Sequence, residues 1–483
     1  MGRCACWLCG VGVHGVARRR GELFAFYFFP STSIIFIFIL SCSLQSMRQR
    51  KHNQKEGIYV GALYGGPNLK RHGHKRRVSG KKETNKTKEG PGYNCFSFFF
   101  SSSSMTQSFD RVPHDPKGES IGTLHVVNFP CARLLTLCRP AMLNALSLEM
   151  AQHMLWLHLK RPHPSLPRSA IYILKGAGNK SFCAGGDVRS IVAHGTLCSF
   201  LRTTYQLNYH ILTMPNPQVS LWDGYVMGGG VGVSVHGRYR VASERAVFAM
   251  PETAIGLFPD VGASWFLPRL KMKGLGLYLG LTGARLKGAD VAHTGLATHY
   301  VPSARFCELE ERLCHIDDPA KVEACLEEFA VRDLPPFTLE PHRETIEKSF
   351  ALEEKTTVEG IYESLSADGG EFAMEALKLL RKASPTCLKV TLELFRRASQ
   401  MTSIREAMSL EYGVIQRMSS TNEFAIGVNA LLIEKTGDPQ WERRTLEEVT
   451  AADVDYFFDS VGLVPWDPEA PLETMMEAKG EGV

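Results

Sequence analysis

The chain has 483 residues, of which 44% are hydrophobic and 22% are charged, and its formal net charge is +5 at pH 7. This length exceeds that of one typical domain, and this composition is sufficient for a large buried core. Most of the basic excess lies between residues 47 and 88. Because the excess is local, the charge does not indicate a nucleic-acid partner for the rest of the chain.

Residues 1–104 do not have the pattern of a folded domain. Two stretches rich in Phe and Ile, residues 24–29 and 34–40, are separated by Pro30 and preceded by three arginines. A signal anchor or membrane segment is one interpretation, and a targeting region is another. The basic runs and the segment FSFFFSSSS that follow predict disorder. A third interpretation is an overextended gene model, and we expect the segment to be dispensable for folding.

The thirteen cysteines do not form an evenly spaced framework. This usage is typical of a reducing compartment rather than of a disulfide scaffold. Cys6 and Cys9 form a C-x-x-C pair without a second pair, so no metal site is predicted. Cys183 lies beside a glycine turn, but no histidine pairs with it, and we interpret it as a structural cysteine.

From residue 122 onward the sequence predicts strands and helices in alternation, with repeated ββα units that indicate an α/β fold. Residues 105–318 are predicted to form the catalytic core, and residues 319–483 a mainly helical C-terminal subdomain. Strands are predicted at residues 124–129, 133–138, 170–174, 218–222, 238–242 and 246–250. Helices are predicted at residues 148–159, 275–282, 289–293, 371–382 and 384–398, with another between residues 191 and 212.

Two glycine-rich turns follow predicted strands. The turn AGGD spans residues 184–187, and MGGGVG spans residues 227–232 at the start of an apolar, helix-like segment. Glycine lets a backbone amide approach a ligand closely, and amides at a helix start suit an oxyanion. Two such turns can supply two amides to one carbonyl oxygen that develops negative charge. The alternative is that both are only tight turns.

Two carboxylates, Glu252 and Asp260, lie in the apolar segment MPETAIGLFPD, and each follows a proline. Apolar surroundings raise the pKa of a carboxyl group by desolvation, which a general acid or base requires. The alternative is that Glu252 caps a helix and Asp260 is a turn residue.

The motifs FCAGGD, MGGGVG and MPETAIGLFPDVG resemble those of the enoyl-CoA hydratase/isomerase (crotonase) superfamily. The segments SPTCLKVTLELF, LEYGVIQRM and FAIGVNALLIEKTGDPQW resemble the C-terminal part of its 3-hydroxyisobutyryl-CoA hydrolase branch. The resemblance implies a crotonase-like spiral of ββα units with a helical C-terminal subdomain. It also implies a mitochondrial acyl-CoA thioester hydrolase of valine catabolism, without a metal or redox cofactor. The implied partner is a small-molecule acyl-CoA and no nucleic acid, and a homo-oligomer stays open.

The resemblance also implies roles for single residues. It places the two oxyanion-hole amides at Gly186 and Gly229. Glu252 either attacks the thioester carbon or activates a water molecule, and the sequence leaves both mechanisms open. Asp260 orients either Glu252 or the 3-hydroxyl group of the substrate. Counted back without gaps, a substrate-contacting Glu of the hydrolases falls on Thr204, which implies weaker discrimination for a 3-hydroxyl group.

Two other functional classes stay open. One is an enoyl-CoA hydratase or isomerase of the same superfamily. The resembling hydratases carry an acid/base Glu where this chain has Gly232, which argues against that class. The other is a non-catalytic acyl-CoA-binding or ribosome-associated protein, and the presence of Gly186, Gly229, Glu252 and Asp260 together argues against it.

Overall fold

The computed structural model describes residues 13–19, 22–27, 36–40, 119–159 and 170–470. Contacts divide the chain into two units, Met1–Ser102 and Ser103–Val483. In the first unit, strands β1 (Val13–Arg19), β2 (Glu22–Tyr27) and β3 (Phe36–Leu40) form an antiparallel sheet in that order. The C-x-x-C pair and the basic runs lie outside the described residues, so the interpretations of residues 1–104 stay predictions.

In its described residues, the second unit has eleven strands, which form two sheets. Their bounds are β4 Glu119–Ile121, β5 Leu124–Asn128, β6 Ala132–Leu137, β7 Ile171–Gly176, β8 Ser181–Cys183, β9 Gln218–Trp222, β10 Tyr225–Met227, β11 Tyr239–Ala242, β12 Val247–Ala249, β13 Leu286–Lys287 and β14 His299–Tyr300.

The α-helices of the second unit are more frequent after β14 than before it. They are α1 Leu148–Leu159, α2 Val188–His194, α3 Leu197–Thr213, α4 Gly229–Val235, α5 Ala263–Phe266, α6 Leu275–Thr282, α7 Ala289–His293, α8 Phe306–Cys314, α9 Val322–Phe329, α10 Arg343–Ser349, α11 Val358–Asp368, α12 Glu371–Leu380, α13 Pro385–Ser399, α14 Ile404–Met418, α15 Glu423–Val428 and α16 Ala451–Phe458. The chain also forms a 3-10 turn, Glu252–Ile255, and a π-helical turn, Asn429–Ile433. No helix in the described part of the chain combines the length and apolarity that a bilayer crossing requires.

Successive strand pairs contribute one strand to each sheet. The larger sheet has the order β14-β11-β9-β7-β6-β5-β4, and the smaller has the order β13-β12-β10-β8. The pairs β7/β8, β9/β10 and β11/β12 therefore form successive turns of a spiral. Helices α2 and α3 follow the first pair in the chain, and α4 follows the second. This arrangement confirms the predicted α/β spiral of ββα units.

In the parallel part of the larger sheet, β6, β7, β9 and β11 are mostly buried on both faces, as expected where strands pair in parallel. All five residues of β9 are buried, which explains why its sequence is a continuous strand-like run. On one face, Leu134, Ile173 and Val219 pack with residues of α8 and α9. On the other face, Leu135 and Leu174 belong to a larger cluster that continues into the C-terminal helices.

The C-terminal helices pack directly on the segment that carries Glu252. A Cβ atom on Gly256, where φ is +75°, would lie 2.0 Å from the carbonyl oxygen of Glu423. A Cβ atom on Gly427 would lie 2.3 Å from the carbonyl carbon of Ile255. Only glycine permits this approach, so α15 is in backbone contact with the 3-10 turn. The helical part after residue 319 therefore contributes to the region around the predicted site.

Candidate active site

The two glycine turns bring two backbone amides together. Gly186 follows β8 and Gly229 opens α4 after β10, and these neighbouring strands are parallel, so both turns leave the same edge of the sheet. A Cβ atom on Gly229 would lie 3.2 Å from the amide nitrogen of Gly186. Within the described residues, neither amide donates a hydrogen bond to the protein. The pair is therefore free to bind an oxygen that develops negative charge.

Side-chain contacts hold the first of these turns in place. Arg139 binds Asp187, the acid of AGGD, with 2.7 Å between Nη2 and Oδ2. The other oxygen of Asp187 accepts a hydrogen bond from the amide of Ser190 and caps α2. Asp187 therefore fixes the turn that presents the Gly186 amide rather than facing the substrate side.

Glu252 lies beside the second turn and is only 5% exposed. Its Oε1 would be 2.7 Å from a Cβ atom on Gly228, where φ is +46°. Its Oε2 is buried and has no hydrogen-bond partner among the described residues. Burial, followed by the charges of Asp260 and Glu411, holds the pKa of Glu252 well above its usual range. A buried carboxyl oxygen without a partner is costly, which is typical of a group that acts on a bound molecule.

Asp260 follows the 3-10 turn and is also 5% exposed. Burial and then the charge of Glu411 raise its pKa to about 8. Asp260 and Glu252 interact electrostatically, and two buried carboxylates at close range do not both ionise readily. At neutral pH, the pair therefore holds at least one proton that can be donated in a hydrogen bond.

A cleft of about 390 Å³ joins the glycine turns to the two carboxylates. Gly186, Gly229, Glu252 and Asp260 all line it, so the structure brings these four predicted residues together. The rest of the lining is mostly apolar and includes Ile191, Leu197, Phe200, Leu201, Leu257, Phe424, Leu431 and Leu432. An apolar cleft with a few convergent polar groups is the usual form of a small-molecule site.

Thr204 is not brought to this cleft. Its side chain is fully buried in α3, and its hydroxyl group donates a 2.8 Å hydrogen bond to the carbonyl oxygen of Phe200 one helical turn earlier. The residues of α3 that line the cleft are Leu197, Phe200 and Leu201. A gapless count predicts a position on α3 but not the direction of a side chain, and the observed placement does not support a direct substrate contact by Thr204.

Three features of the site lie outside the sequence prediction. Glu411 on α14 is fully buried beside Asp260, and Arg285 lines the rim of the cleft. The third is the apolar wall that Phe424, Leu431 and Leu432 provide from the C-terminal part. For Glu411 a signal was present, because it is an acid at helical spacing from the apolar Met408 and Ile415, where a core residue is expected.

Cys183 behaves as the sequence interpretation expects. It is fully buried, and its Sγ lies 3.6 Å from the carbonyl oxygen of Gly185. Burial raises the pKa of the thiol to about 11, which disfavours the nucleophilic thiolate. Across the parts of the chain that the structure describes, no group of three or more His, Cys, Asp or Glu side chains is arranged to hold a metal ion.

Neighbouring side chains fill the space beside Gly232, where the resembling hydratases carry a glutamate. A Cβ atom on Gly232 would lie 2.7 Å from Cβ of Val261 and 2.9 Å from the side-chain amide group of Asn208. Real Cβ atoms essentially never approach other heavy atoms so closely. The site therefore has one pair of acids, Glu252 and Asp260, and no room for a further carboxylate on α4.

Gly232→Glu is expected to destabilise the protein by about 1–3 kcal/mol through overpacking against Val261 and Asn208. It is not expected to create measurable hydration of an enoyl-CoA. Thermal unfolding and a hydration assay on the purified variant measure both effects. A variant as stable as the parent that hydrates crotonyl-CoA would contradict this interpretation of Gly232.

Comparison with known proteins agrees with the geometry. A family model described as enoyl-CoA hydratase/isomerase matches residues 132–458. The chain is 44% identical over 350 residues to "3-hydroxyisobutyryl-CoA hydrolase, mitochondrial" of Xenopus laevis, covering 69% of this chain and 87% of that protein. The protein of the same name from Homo sapiens is 44% identical over 344 residues, with the same coverages.

Solved structures support the fold independently of these names. A carnitinyl-CoA dehydratase from Mycobacterium thermoresistibile is similar at a TM-score of 0.66 and 35% identity, over 72% of this chain and 99% of that one. An enoyl-CoA hydratase from Rhodobacter sphaeroides 2.4.1 is similar at a TM-score of 0.63 and 32% identity, over 72% and 100% of the two chains. With the family model covering residues 132–458, the spiral and the paired glycine turns show that this chain belongs to the enoyl-CoA hydratase/isomerase family.

Proposed function

We propose that this protein hydrolyses the thioester of 3-hydroxyisobutyryl-CoA to 3-hydroxyisobutyrate and CoA, a step of valine catabolism. The observation that carries the proposal is the free amide pair of Gly186 and Gly229 beside the buried, unpartnered Oε2 of Glu252. The absence of space for a carboxylate at Gly232 disfavours hydration. The 44% identity to proteins named 3-hydroxyisobutyryl-CoA hydrolase supports the acyl group.

In this mechanism the carbonyl oxygen of the thioester lies between the amides of Gly186 and Gly229. Attack on the carbonyl carbon moves negative charge onto that oxygen, and the two N–H groups stabilise it. The carbon–sulfur bond then breaks, the sulfur takes the proton released from water, and the acyl carbon keeps the water oxygen. Glu252 either attacks the carbon itself, forming an anhydride that water opens, or removes the proton from an attacking water.

Asp260 has a separate role in this proposal. With a pKa raised to about 8, its carboxyl group is mostly protonated at neutral pH and can donate a hydrogen bond. It therefore orients Glu252 or the 3-hydroxyl group of the substrate. A contact to the hydroxyl group from Asp260 removes the need for one from Thr204.

We further propose that the protein acts in the mitochondrion, because the similar hydrolases are named mitochondrial. The mechanism uses only groups of this chain, so no metal or redox cofactor is needed, and CoA enters as part of the substrate. The small-molecule acyl-CoA is the proposed partner, without nucleic acid, and assembly into a homo-oligomer is compatible with the proposal.

A comparison of two substrates tests the acyl specificity. The release of CoA thiol from 3-hydroxyisobutyryl-CoA and from isobutyryl-CoA is measured with a thiol reagent on the same sample. We expect kcat/KM to be at least about tenfold higher for the hydroxylated substrate, because a buried polar group left unpaired penalises the plain one. Equal kcat/KM values for the two substrates would exclude specific recognition of the 3-hydroxyl group but would not contradict thioester hydrolysis.

Arg285 is expected to contact the phosphates of CoA. It is exposed on the rim of the cleft and has no ion-pair partner among the described residues. Arg285→Ala should raise KM for the CoA thioester about fivefold, since an exposed charge contact is worth up to about 1 kcal/mol. KM for the N-acetylcysteamine thioester, which lacks phosphates, should not change. Arg332→Ala, at an exposed ion pair outside the cleft, is the control, and an equal effect on both thioesters would contradict a phosphate contact.

A further inference from the structure

Glu411 is a buried carboxylate that the proposed mechanism does not use. It lies on α14 in the C-terminal part, and its side chain is fully buried. Its Oε2 accepts hydrogen bonds of 2.8 Å from the Tyr205 hydroxyl group and 2.8 Å from the Gly262 amide. Its Oε1 accepts from the amide of Ser264 at 3.0 Å and from the hydroxyl group of the same residue. Four hydrogen-bond donors therefore surround this buried carboxyl group. They offset the cost of its burial, which indicates that the fold accommodates an acid at this position specifically.

The donors of Glu411 belong to the turn that follows Asp260. Gly262 and Ser264 provide three of the four hydrogen bonds. Val261, in the same turn, has a φ of +52°, which is strained for a β-branched residue, and φ at Gly262 is +85°. The Tyr205 hydroxyl group, which donates to Glu411, also accepts a 3.3 Å hydrogen bond from the amide of Val261. Glu411 and Tyr205 together therefore hold a turn that the backbone alone does not favour.

This turn sets the position of Asp260. The amide of Ala263 donates a 2.9 Å hydrogen bond to the carbonyl oxygen of Asp260, which closes the turn on the acid. Val261 also fills the space beside Gly232, as described above. A shift of the turn would therefore move Asp260 relative to Glu252 and open the space that excludes a further carboxylate.

The charges around Glu411 are mostly acidic. Burial raises its pKa, and the hydrogen bonds from Ser264, Gly262 and Tyr205 oppose that rise. Among the described residues, no lysine or arginine forms an ion pair with it. The acids that face it are Asp260 and Glu252, and its charge raises the pKa of both. His236, which packs against Gly262, adds no positive charge at neutral pH because burial lowers its pKa to about 4.

We propose that Glu411 is a positioning residue for catalysis, through which the C-terminal helices hold the Asp260 turn and keep a hydrogen-bonded acidic group behind the acid pair. The proposal rests on the proposed hydrolysis only for its kinetic consequence. Glu411 itself does not line the cleft, so it acts through Asp260 and not on the substrate.

Glu411→Gln tests the proposal, because it keeps the size and one acceptor oxygen but removes the charge. We expect kcat for thioester hydrolysis to fall about tenfold, with KM changed less than about twofold. We also expect the acidic limb of the kcat profile to move to lower pH, because removal of a nearby negative charge lowers the pKa of Asp260 and Glu252. A loss of kcat with an unshifted pH profile would mean a merely structural role and would overturn the proposal.

A second measurement keeps the test independent of activity. In protein labelled with ¹³C at the aspartate carboxyl carbons, the Asp260 resonance is assigned by its loss in Asp260→Asn and is titrated by NMR. It should titrate at lower pH in Glu411→Gln than in the parent, and an unchanged titration would overturn the proposal whether or not the parent hydrolyses the substrate. If Glu411→Gln does not fold, Tyr205→Phe removes one donor to Glu411 and the contact with the amide of Val261. This variant should lower kcat by a smaller factor with KM changed less than about twofold, and an unchanged kcat would overturn the proposal. Failure of the parent to release thiol would instead count against the proposed function.

Discussion

Replacing Glu252 with Gln is expected to lower turnover of 3-hydroxyisobutyryl-CoA by at least about a hundredfold. The amide can neither attack a thioester nor take a proton from water, whereas its shape fits the space beside Gly228. Binding of free CoA should be unchanged, because the expected contact of Arg285 with the phosphates does not involve Glu252. Steady-state thiol release and CoA binding by calorimetry on the same sample measure the two effects.

The same substitution is expected to stabilise the fold at neutral and higher pH. The pKa of Glu252 is raised in the folded state above its ordinary value of 4.5. The contribution of this carboxyl group to the free energy of unfolding is therefore fully present below pH 4.5 and is lost as the pH rises. Gln does not titrate, and the difference in Tm between Glu252→Gln and the parent should therefore widen with rising pH. A variant that loses activity and gains stability indicates that the replaced group serves function and lowers the free energy of unfolding.

Glu423→Gln is the matched control for Glu252→Gln. Glu423 is also a buried acid of the same region, but Ser384 and the amide of Glu442 satisfy its oxygens and it does not line the cleft. Its turnover should remain within a few-fold of the parent. Near-parental turnover in a folded Glu252→Gln protein would remove Glu252 from the mechanism.

Gly229→Ala is expected to lower kcat about a hundredfold or more, the cost of removing one oxyanion donor being about 2.7–4 kcal/mol. The added methyl group would lie 3.2 Å from the amide nitrogen of Gly186 and would occupy the space between the two donors. The φ of Gly229 is not positive, so an alanine is compatible with the backbone and the effect should be on turnover rather than on folding. Thiol release and thermal unfolding separate these two outcomes.

Gly413→Ala is the control for a glycine replacement inside a helix. Its added Cβ would lie 3.6 Å from Leu463, which is ordinary contact, and it should leave turnover unchanged. A gain of about 0.5–1 kcal/mol in stability is expected because glycine is unfavourable within a helix. If Gly229→Ala and Gly413→Ala have equal turnover, the Gly229 amide does not stabilise the transition state.

The elements around the site could be predicted because their sequences carry local signals. The predicted bounds of α1, β9 and α6 agree with the structure residue by residue. In α13, Pro385 at the first helical position follows the capping residue Ser384, and the observed helix begins at Pro385. These signals depend on neighbours within one or two turns of the chain, which sequence reading captures.

The parts of the site that were missed depend on distant contacts. Glu411 meets Gly262 and Ser264 across about 150 residues, so no local pattern connects them. The wall formed by Leu431 and Leu432 depends on a π-helical turn whose register the sequence does not show. The hydroxyl group of Thr204 donates a hydrogen bond to the preceding turn of α3. A comparison of sequences does not show the direction in which this side chain points.

In the proposed function, the amide pair and Glu252 hydrolyse a thioester and do not hydrate a double bond. The most direct measurement compares, on one sample of the 483-residue protein, thiol release from 3-hydroxyisobutyryl-CoA with water addition to crotonyl-CoA. We expect kcat/KM for thiol release to exceed that for hydration by at least about a hundredfold. Hydration as fast as thiol release, or thiol release no faster than in the Glu252→Gln control, would contradict the claim.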